Sequence, residues 1–398
     1  ESTQIDVKTA KAALFPSLSF STSQQVVNRP YQETSSRVSG SEIISSNSKT
    51  SYNGNYGLNA SWTIYNGSKR LKTLKQERLN NQVAELDVAT SENTIKESIA
   101  QIYIQILYAA ESVRVNENTL QVSIAQRDRG QELLNAGSIA KSDFAQLEAQ
   151  VSTDRYQLVT AQATLQDYKL QLKQLLELDG ENEMNVYLPK LSDENVLAPL
   201  PAKKDVYVSA LAIRPEIEAS KLNVEASELG IDIAKSSYFP TISLSAGIGT
   251  NHTSGSDFTF GEQVKNGWNN SIGLSVSVPI FNNRQTKSAV QKAKLQRETD
   301  MLSLLDEQKA LYKTIESLWL DANSAQQRYA AANEKLRSTQ ISYDLISEQF
   351  NLGMKNTVEL LTEKNNLLQA QQEQLQAKYM AILNTQLLKF YQGDKLTL

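Results

Sequence analysis

Apolar positions recur along this chain at two spacings, and the switches between them mark out its elements. From Ile280 to Leu352 there is neither proline nor glycine, and nearly all of the stretch reads as helix. Within it Leu304, Leu311, Ile315, Leu318, Ala322, Ala325, Tyr329, Ala332 and Leu336 alternate steps of three and four, with one step of seven across Gln308. That is a heptad seam, which keeps one apolar stripe turned toward a partner helix. A helix of that length spans ~100 Å, several times the globular average. After Asn351-Leu352-Gly353 a second seam runs Leu361, Leu368, Leu375, Ile382, so the chain turns and comes back. The first half follows the same plan. Ile95, Ile99, Ile102 and Ile106 form a seam, Asn135-Ala136-Gly137 interrupts it, and Leu147, Val151, Asp154, Leu158, Ala161, Leu165, Tyr168, Leu172 and Leu175 return.

Elsewhere the period is two. Leu18 and Phe20 alternate with Ser17, Ser19 and Ser21, and Tyr56, Leu58, Ala60, Trp62 and Ile64 with Gly57, Asn59, Ser61 and Thr63. Ile242, Leu244, Ala246 and Ile248, then Ile272, Leu274, Val276, Val278 and Ile280, do the same against Ser and Gly. These spacings predict strands over about 14–25, 54–65, 239–250 and 270–281. The polar stretch from Val27 to Tyr52 reads as a loop, and His252 as a solvated residue of an outer loop.

The halves are copies. Glu225 to Ser245 matches Glu1 to Ser21 at an offset of 224, and Ile272 to Asn283 matches Tyr56 to Gly67 at 216. The offset of 216 also relates Gly353 to Gly137 and Glu359 to Asp143. A tandem duplication follows. The first repeat covers 1–178, with a helical hairpin over 68–178 and its tip near 135–141. A proline-bearing linker covers 179–205. The second repeat covers 206–398, with helix over 206–237, inside which Arg214-Pro215-Glu216 reads as a helix start, and a hairpin over 284–392 with its tip near 351–356. Residues 206–224 have no counterpart before Glu1, so a matching helix is expected upstream.

Composition narrows the chemistry. The 398 residues carry 44 acidic and 40 basic side chains, no cysteine and one histidine. Thiolate metal sites, disulfides and cysteine nucleophiles are excluded, no cofactor is implied, and no basic stripe suits nucleic acid. No apolar run reaches the length of a transmembrane helix. A mean hydropathy of −0.42 does not exclude a β-barrel, whose strands average lipid-facing and lumen-facing residues. Four alternating strands of about ten residues suit a bilayer crossing, and the helices already bury their own stripes. Phe15, Tyr65, Phe239 and Phe281 stand at the helix-side strand ends, with Tyr52 and Trp268 near the others, as aromatic girdles or as junction packing. Four strands cannot close, and open edges are not tolerated in lipid, so other copies must complete a barrel.

The strand entries FPSLSFS and FPTISLS, the helix start ALAIRPEIEAS and the paired tips NAGSIAKSDFAQLEAQ and NLGMKNTVELLTEKNN resemble the TolC-like outer-membrane efflux family. The resemblance covers essentially the whole chain. It implies an α+β membrane protein: a homotrimer with a twelve-stranded barrel in outer-membrane lipid of a Gram-negative bacterium, standing on a helical periplasmic tunnel. It further implies a passive exit duct, not an enzyme, served by an inner-membrane pump through a periplasmic adaptor. Docking of the adaptor is then expected at Gly137, Ser138, Ile139, Gly353, Lys355 and Asn356. A pore gate is expected at Glu359, Thr362, Glu363 and Asp143, where Thr362 departs from the second acid of several members. Three symmetry-related Glu359 carboxylates near an axis would repel one another and raise their pKa. A closed-state latch is expected from Asp143, Phe350 and Lys355, resting on Asp143 with Lys355 because Phe350 cannot donate a hydrogen bond. Asp154, inside an apolar seam, reads either as a tunnel-facing charge or as a register device. The alternative for the whole chain is a periplasmic coiled-coil tether or adaptor without a pore.

Overall fold

Both halves of the chain share the order helix, strand, strand, long helix, returning helix, with a β-hairpin added between the strands of the first and a short helix between those of the second. The computed structural model describes residues 1–31, 35–39, 42–46, 49–178, 185–189, 196–256 and 258–396. In the first half come α1 (Ser2–Ala12), β1 (Ser17–Asn28), β2 (Ser35–Ser39), β3 (Glu42–Ser46), β4 (Thr50–Asn66), α2 (Lys69–Asn135) and α3 (Lys141–Leu175). In the second come α4 (Lys203–Ile213), α5 (Pro215–Ser236), β5 (Thr241–Thr253), α6 (Phe260–Asn266), β6 (Asn269–Ser277), α7 (Gln285–Asn351) and α8 (Thr357–Gln392). Helices α2 and α7 are each 67 residues long, and both their ends are related by 216 positions.

Compact units do not follow the repeats. One contains residues 1–85 and 219–304, the other 86–218 and 305–398. Each takes a part of both halves, because the strands of the two copies hydrogen-bond to one another and so do the seams of their helices pack together.

In the first unit the strands form one antiparallel sheet in the order β1-β4-β5-β6. Its register separates two faces. Leu18 stands opposite Ala60, Ala60 opposite Ala246 and Ala246 opposite Ile272; the adjacent row is Ser17, Ser61, Ser245 and Gly273. Phe20, Leu58 and Ile248 extend the first face, and Ser19, Asn59, Gly247 and Ser271 the second. The apolar face is bare: Leu18, Phe20, Ile272, Leu274 and Val276 are all exposed, Ile272 at 83%. Phe15, Tyr65, Phe239 and Phe281 are exposed as well, so they are not buried at a helix junction.

Three expectations change here. The 27–52 stretch is not simply a loop: β1 runs to Asn28, β4 starts at Thr50, and β2 pairs antiparallel with β3 between them. Serine fills five of the ten hairpin positions, so there is little alternation to read; residues 32–34, 40–41 and 47–48 lie outside the described residues. Strand β6 stops at Ser277 rather than near 281, because Pro279 has no amide to donate. His252 is half-buried rather than solvated. Its ring lies 5.2 Å from Tyr52, 6.0 Å from Tyr56 and 5.0 Å from Phe260, centre to centre. It covers Gly54, where a Cβ would come within 2.3 Å of the imidazole. Phe260 opens α6, which Thr259 caps with Glu262 in reciprocal hydrogen bonds.

The second unit is helical. Its core includes Val206, Ala210, Ile217, Leu311, Ile315 and Leu388. A second cluster joins Ala100, Ile104 and Leu107 of α2 to Tyr379, Leu383 and Leu387 of α8. The helix expected over 206–237 is two helices, because Arg214 is extended (φ −73°, ψ 126°), as a residue before proline prefers. Of the linker, residues 185–189 and 196–202 are neither helix nor strand; 179–184 and 190–195 lie outside the described residues.

Candidate functional site

The turns between paired long helices are built alike. Gly137 has φ +71° and Gly353 φ +73°, a left-handed conformation that glycine adopts without cost to a Cβ. After α2, the Ser138 amide donates to Leu133 O at 2.8 Å and the Gly137 amide to Leu134 O at 2.9 Å. After α7, Met354 donates to Gln349 O at 2.8 Å and Gly353 to Phe350 O at 2.9 Å. This double closure satisfies carbonyls that a helix end otherwise leaves open. A Cβ at either glycine would meet nothing within 4 Å, so the backbone angle alone demands glycine. Gly137, Ser138, Gly353 and Asn356 are exposed, and Ile139 and Lys355 half-buried. Leu352, Met354 and Val358, which the sequence reading passed over, are exposed apolar side chains on the second turn.

The two returning helices start differently. Asn356 Oδ1 accepts from the Glu359 amide at 2.9 Å, and Glu359 Oε2 accepts from the Asn356 amide at 3.1 Å. That is a full capping box. Lys355 Nζ donates to Glu359 Oε1 at 2.5 Å. This Lys355 bond first, and the Asn356 amide second, hold the Glu359 carboxyl below its ordinary value. The sequence reading expected the opposite direction, from repulsion among symmetry mates. Within one chain the neighbours of this carboxylate are a cation and a helix amide. At the equivalent place in the first repeat Ala140 has no side-chain acceptor, and only Asp143 Oδ2 reaches back, to the Ala140 amide at 3.3 Å.

Asp143 and Lys355, expected to latch the hairpins, are therefore each bonded elsewhere, and no bond joins them among the described residues. Phe350 is a core side chain at 2% exposure, packed with Leu147 and Leu360. The Thr362 hydroxyl donates to Val358 O at 2.7 Å within its own helix. Glu363 accepts from Ser342 Oγ at 3.0 Å, which links α8 to α7.

Asp154 does not face a lumen. It is 1% exposed and pairs with Lys364, itself 3% exposed. Lys364 Nζ also donates to Ser123 Oγ, which in turn donates to Asp154. Gln150 Nε2 donates to the other Asp154 oxygen at 2.9 Å. Burial pulls the Lys364 ammonium down from its ordinary value, and the hydrogen bond and charge of Asp154 oppose this. A signal for Lys364 existed in the sequence: it lies three residues after Leu361 and four before Leu368, on the seam of α8. Among the described residues no group of three or more His, Cys, Asp or Glu could hold a metal ion.

This architecture has known counterparts. The chain is 26% identical over 294 residues to the outer membrane efflux protein BepC of Brucella suis, which covers 73% of this chain and 61% of that protein. It is 24% identical over 341 residues to the outer membrane protein TolC of Escherichia coli, covering 82% and 66%. The chain thus spans about three fifths to two thirds of the length of these curated relatives. Its fold matches a solved structure of CusC with a TM-score of 0.82 at 19% identity, over 99% of this chain and 87% of that one. Residues 1–177 and 206–393 match the family described as outer membrane efflux protein, and the chain belongs to that family.

Proposed function

We propose that three copies of this chain join their four-stranded sheets into a twelve-stranded barrel in the outer membrane, and that their helical parts form a periplasmic tunnel. The assembly is a passive duct, not an enzyme, for drugs or other small molecules, with proteins a further class of cargo. An inner-membrane pump supplies the energy, and a periplasmic adaptor docks at the turns around Gly137 and Gly353.

One observation carries this reading: an antiparallel sheet whose apolar face is bare and whose outer strands, β1 and β6, each pair on one side only among the described residues. In water such a face is an aggregation liability. In a bilayer it is the lipid-facing wall of a barrel, provided that the edges close on other copies. Twelve strands leave an aqueous lumen, whereas eight are filled by side chains. A coiled-coil tether has no need of such a sheet. The exposed apolar side chains Leu352, Met354 and Val358 and the closed cap of α8 support docking there, and Glu359, with Asp143, Thr362 and Glu363, is the gate-lining set.

Single-channel conductance of the detergent-extracted protein in a planar bilayer tests the reading. Discrete steps, reduced by divalent cations and altered by Glu359→Gln, are expected of a trimeric pore with an acidic entrance. Absence of conductance from folded protein would overturn it in favour of the tether.

A further inference from the structure

We propose that Lys364, acting through Asp154 and Ser123, is the positioning residue that fixes the returning helix of the second repeat onto the hairpin of the first. This assignment rests on reading the turns as the entrance of the duct.

Three helices meet at the cluster: α2 supplies Ser123, α3 supplies Asp154 and α8 supplies Lys364. The lysine and the aspartate are almost wholly buried, and Gln150 engages the remaining aspartate oxygen. Parting α8 from α2 and α3 breaks the charge-assisted hydrogen bonds from Lys364 to Asp154 and Ser123, and deleting one partner while the helices stay packed leaves the other charge buried and uncompensated. Nearer the turns the charged groups expected to latch the hairpins are engaged elsewhere. Lys355 is bonded to Glu359 and Asp143 to the Ala140 amide, each within the start of one helix.

The duplication sharpens the point. Helix lengths and turn closures agree between the repeats, but the cluster has no copy. At the offset of 216, Ala370 stands for Asp154, Glu148 for Lys364 and Thr339 for Ser123. Ala370 is buried, Glu148 is exposed, and the Thr339 hydroxyl donates to Lys335 O of its own helix. At these three positions the charge tie is present in one repeat and absent from the other. Any opening that parts the hairpins within one chain must break this tie; otherwise α2, α3 and α8 move together.

The test uses the full chain, with amide exchange over residues 118–126 and 357–368 read beside single-channel conductance. Lys364→Met leaves Asp154 buried without its partner. It is expected to speed exchange in both segments by about tenfold and to raise conductance, with the oligomer size unchanged. Asp154→Leu combined with Lys364→Met removes both charges and is expected to return exchange to near the wild-type rate. Lys355→Ala is expected to leave residues 118–126 as in the wild type. Wild-type exchange and conductance in Lys364→Met would overturn the proposal, as would equal acceleration by Lys355→Ala. If folded wild-type protein conducts nothing, the duct reading fails, while the exchange data still decide whether the tie exists.

Discussion

The Arg214 guanidinium carbon stands 4.0 Å from the centre of the Tyr391 ring, a cation over an aromatic face. The same guanidinium donates to Glu97 at 3.1 Å and to Glu216 at 2.8 Å. The break between α4 and α5 is thereby pinned to the end of α8. Burial first, and the Glu97 carboxylate second, push the Tyr391 phenol up to about 12, against the opposing pull of Arg214.

A raised phenol pKa favours the neutral form in the folded protein. Its contribution is therefore complete below pH ~10 and is lost as pH rises toward 12. The loss is on the order of 2–3 kcal/mol. Thermal melts between these limits should fall more steeply for the wild type than for Tyr391→Phe, which has no proton to release there.

The left-handed angles at Gly137 and Gly353 set the cost of a side chain in open space. Gly137→Ala and Gly353→Ala should each cost about 1 kcal/mol through the backbone alone. The amides of Ser138 and Met354, which close the turns, should lose protection against exchange, while the paired helices keep theirs. A much larger loss of stability would point to a packing contact at the glycine instead.

Acid should loosen the start of α8. The Glu359 carboxylate accepts from the Asn356 amide and from Lys355, and these partners lower its pKa. Its contribution is present at neutral pH and is lost as pH falls through that lowered value. Protection of the Asn356 amide should drop in acid, and Glu359→Ala, which has no acceptor, should show at least as large a drop at neutral pH.

Side chains adjacent in β6 should answer oppositely to charge. Leu274 lies on the bare apolar face, opposite Leu244, and Ser275 on the Ser/Gly face, opposite Ser243. If the proposed barrel forms, Leu274→Lys stands toward lipid and should cost about 2–4 kcal/mol, read as lost refolding into lipid vesicles. In the same barrel Ser275→Lys stands toward the lumen and should refold like the wild type and change ion selectivity instead.

Much of the helical architecture could be read from spacing alone. Leu147, Val151 and Leu172 of one seam, and Leu311, Ile315, Ala322 and Tyr329 of another, are buried as a heptad demands. In α2 the predicted seam caught only part of the buried stripe: Ile106 is buried, Ile99 and Ile102 are half-buried and Ile95 is exposed, while Ala100, Ile104 and Leu107 face the core. A seam traced through large side chains overlooks alanine, which lets helices approach without announcing itself. The turns were legible because only glycine suits their angles. The partners of the charges around them were not, since a long side chain such as Lys355 reaches several acids at similar cost and local capping decided among them. Asp154 and Lys364 were legible as two opposite charges on two seams, but their pairing needed the third dimension.

The equal length of α2 and α7 carries an evolutionary consequence. Removing one residue from α2 alone would withdraw its turn by about 1.5 Å and rotate it by about 100°. Leu133 would then swing away from the cluster formed by Leu147, Phe350 and Leu360. Removing seven would shorten the helix by about 10.5 Å and nearly preserve its facing, but Gly137 would no longer match Gly353 unless α7 lost the same seven. Changes in reach are thus expected to be inherited in matched heptads, one in each repeat, much as both legs of a ladder must be cut together.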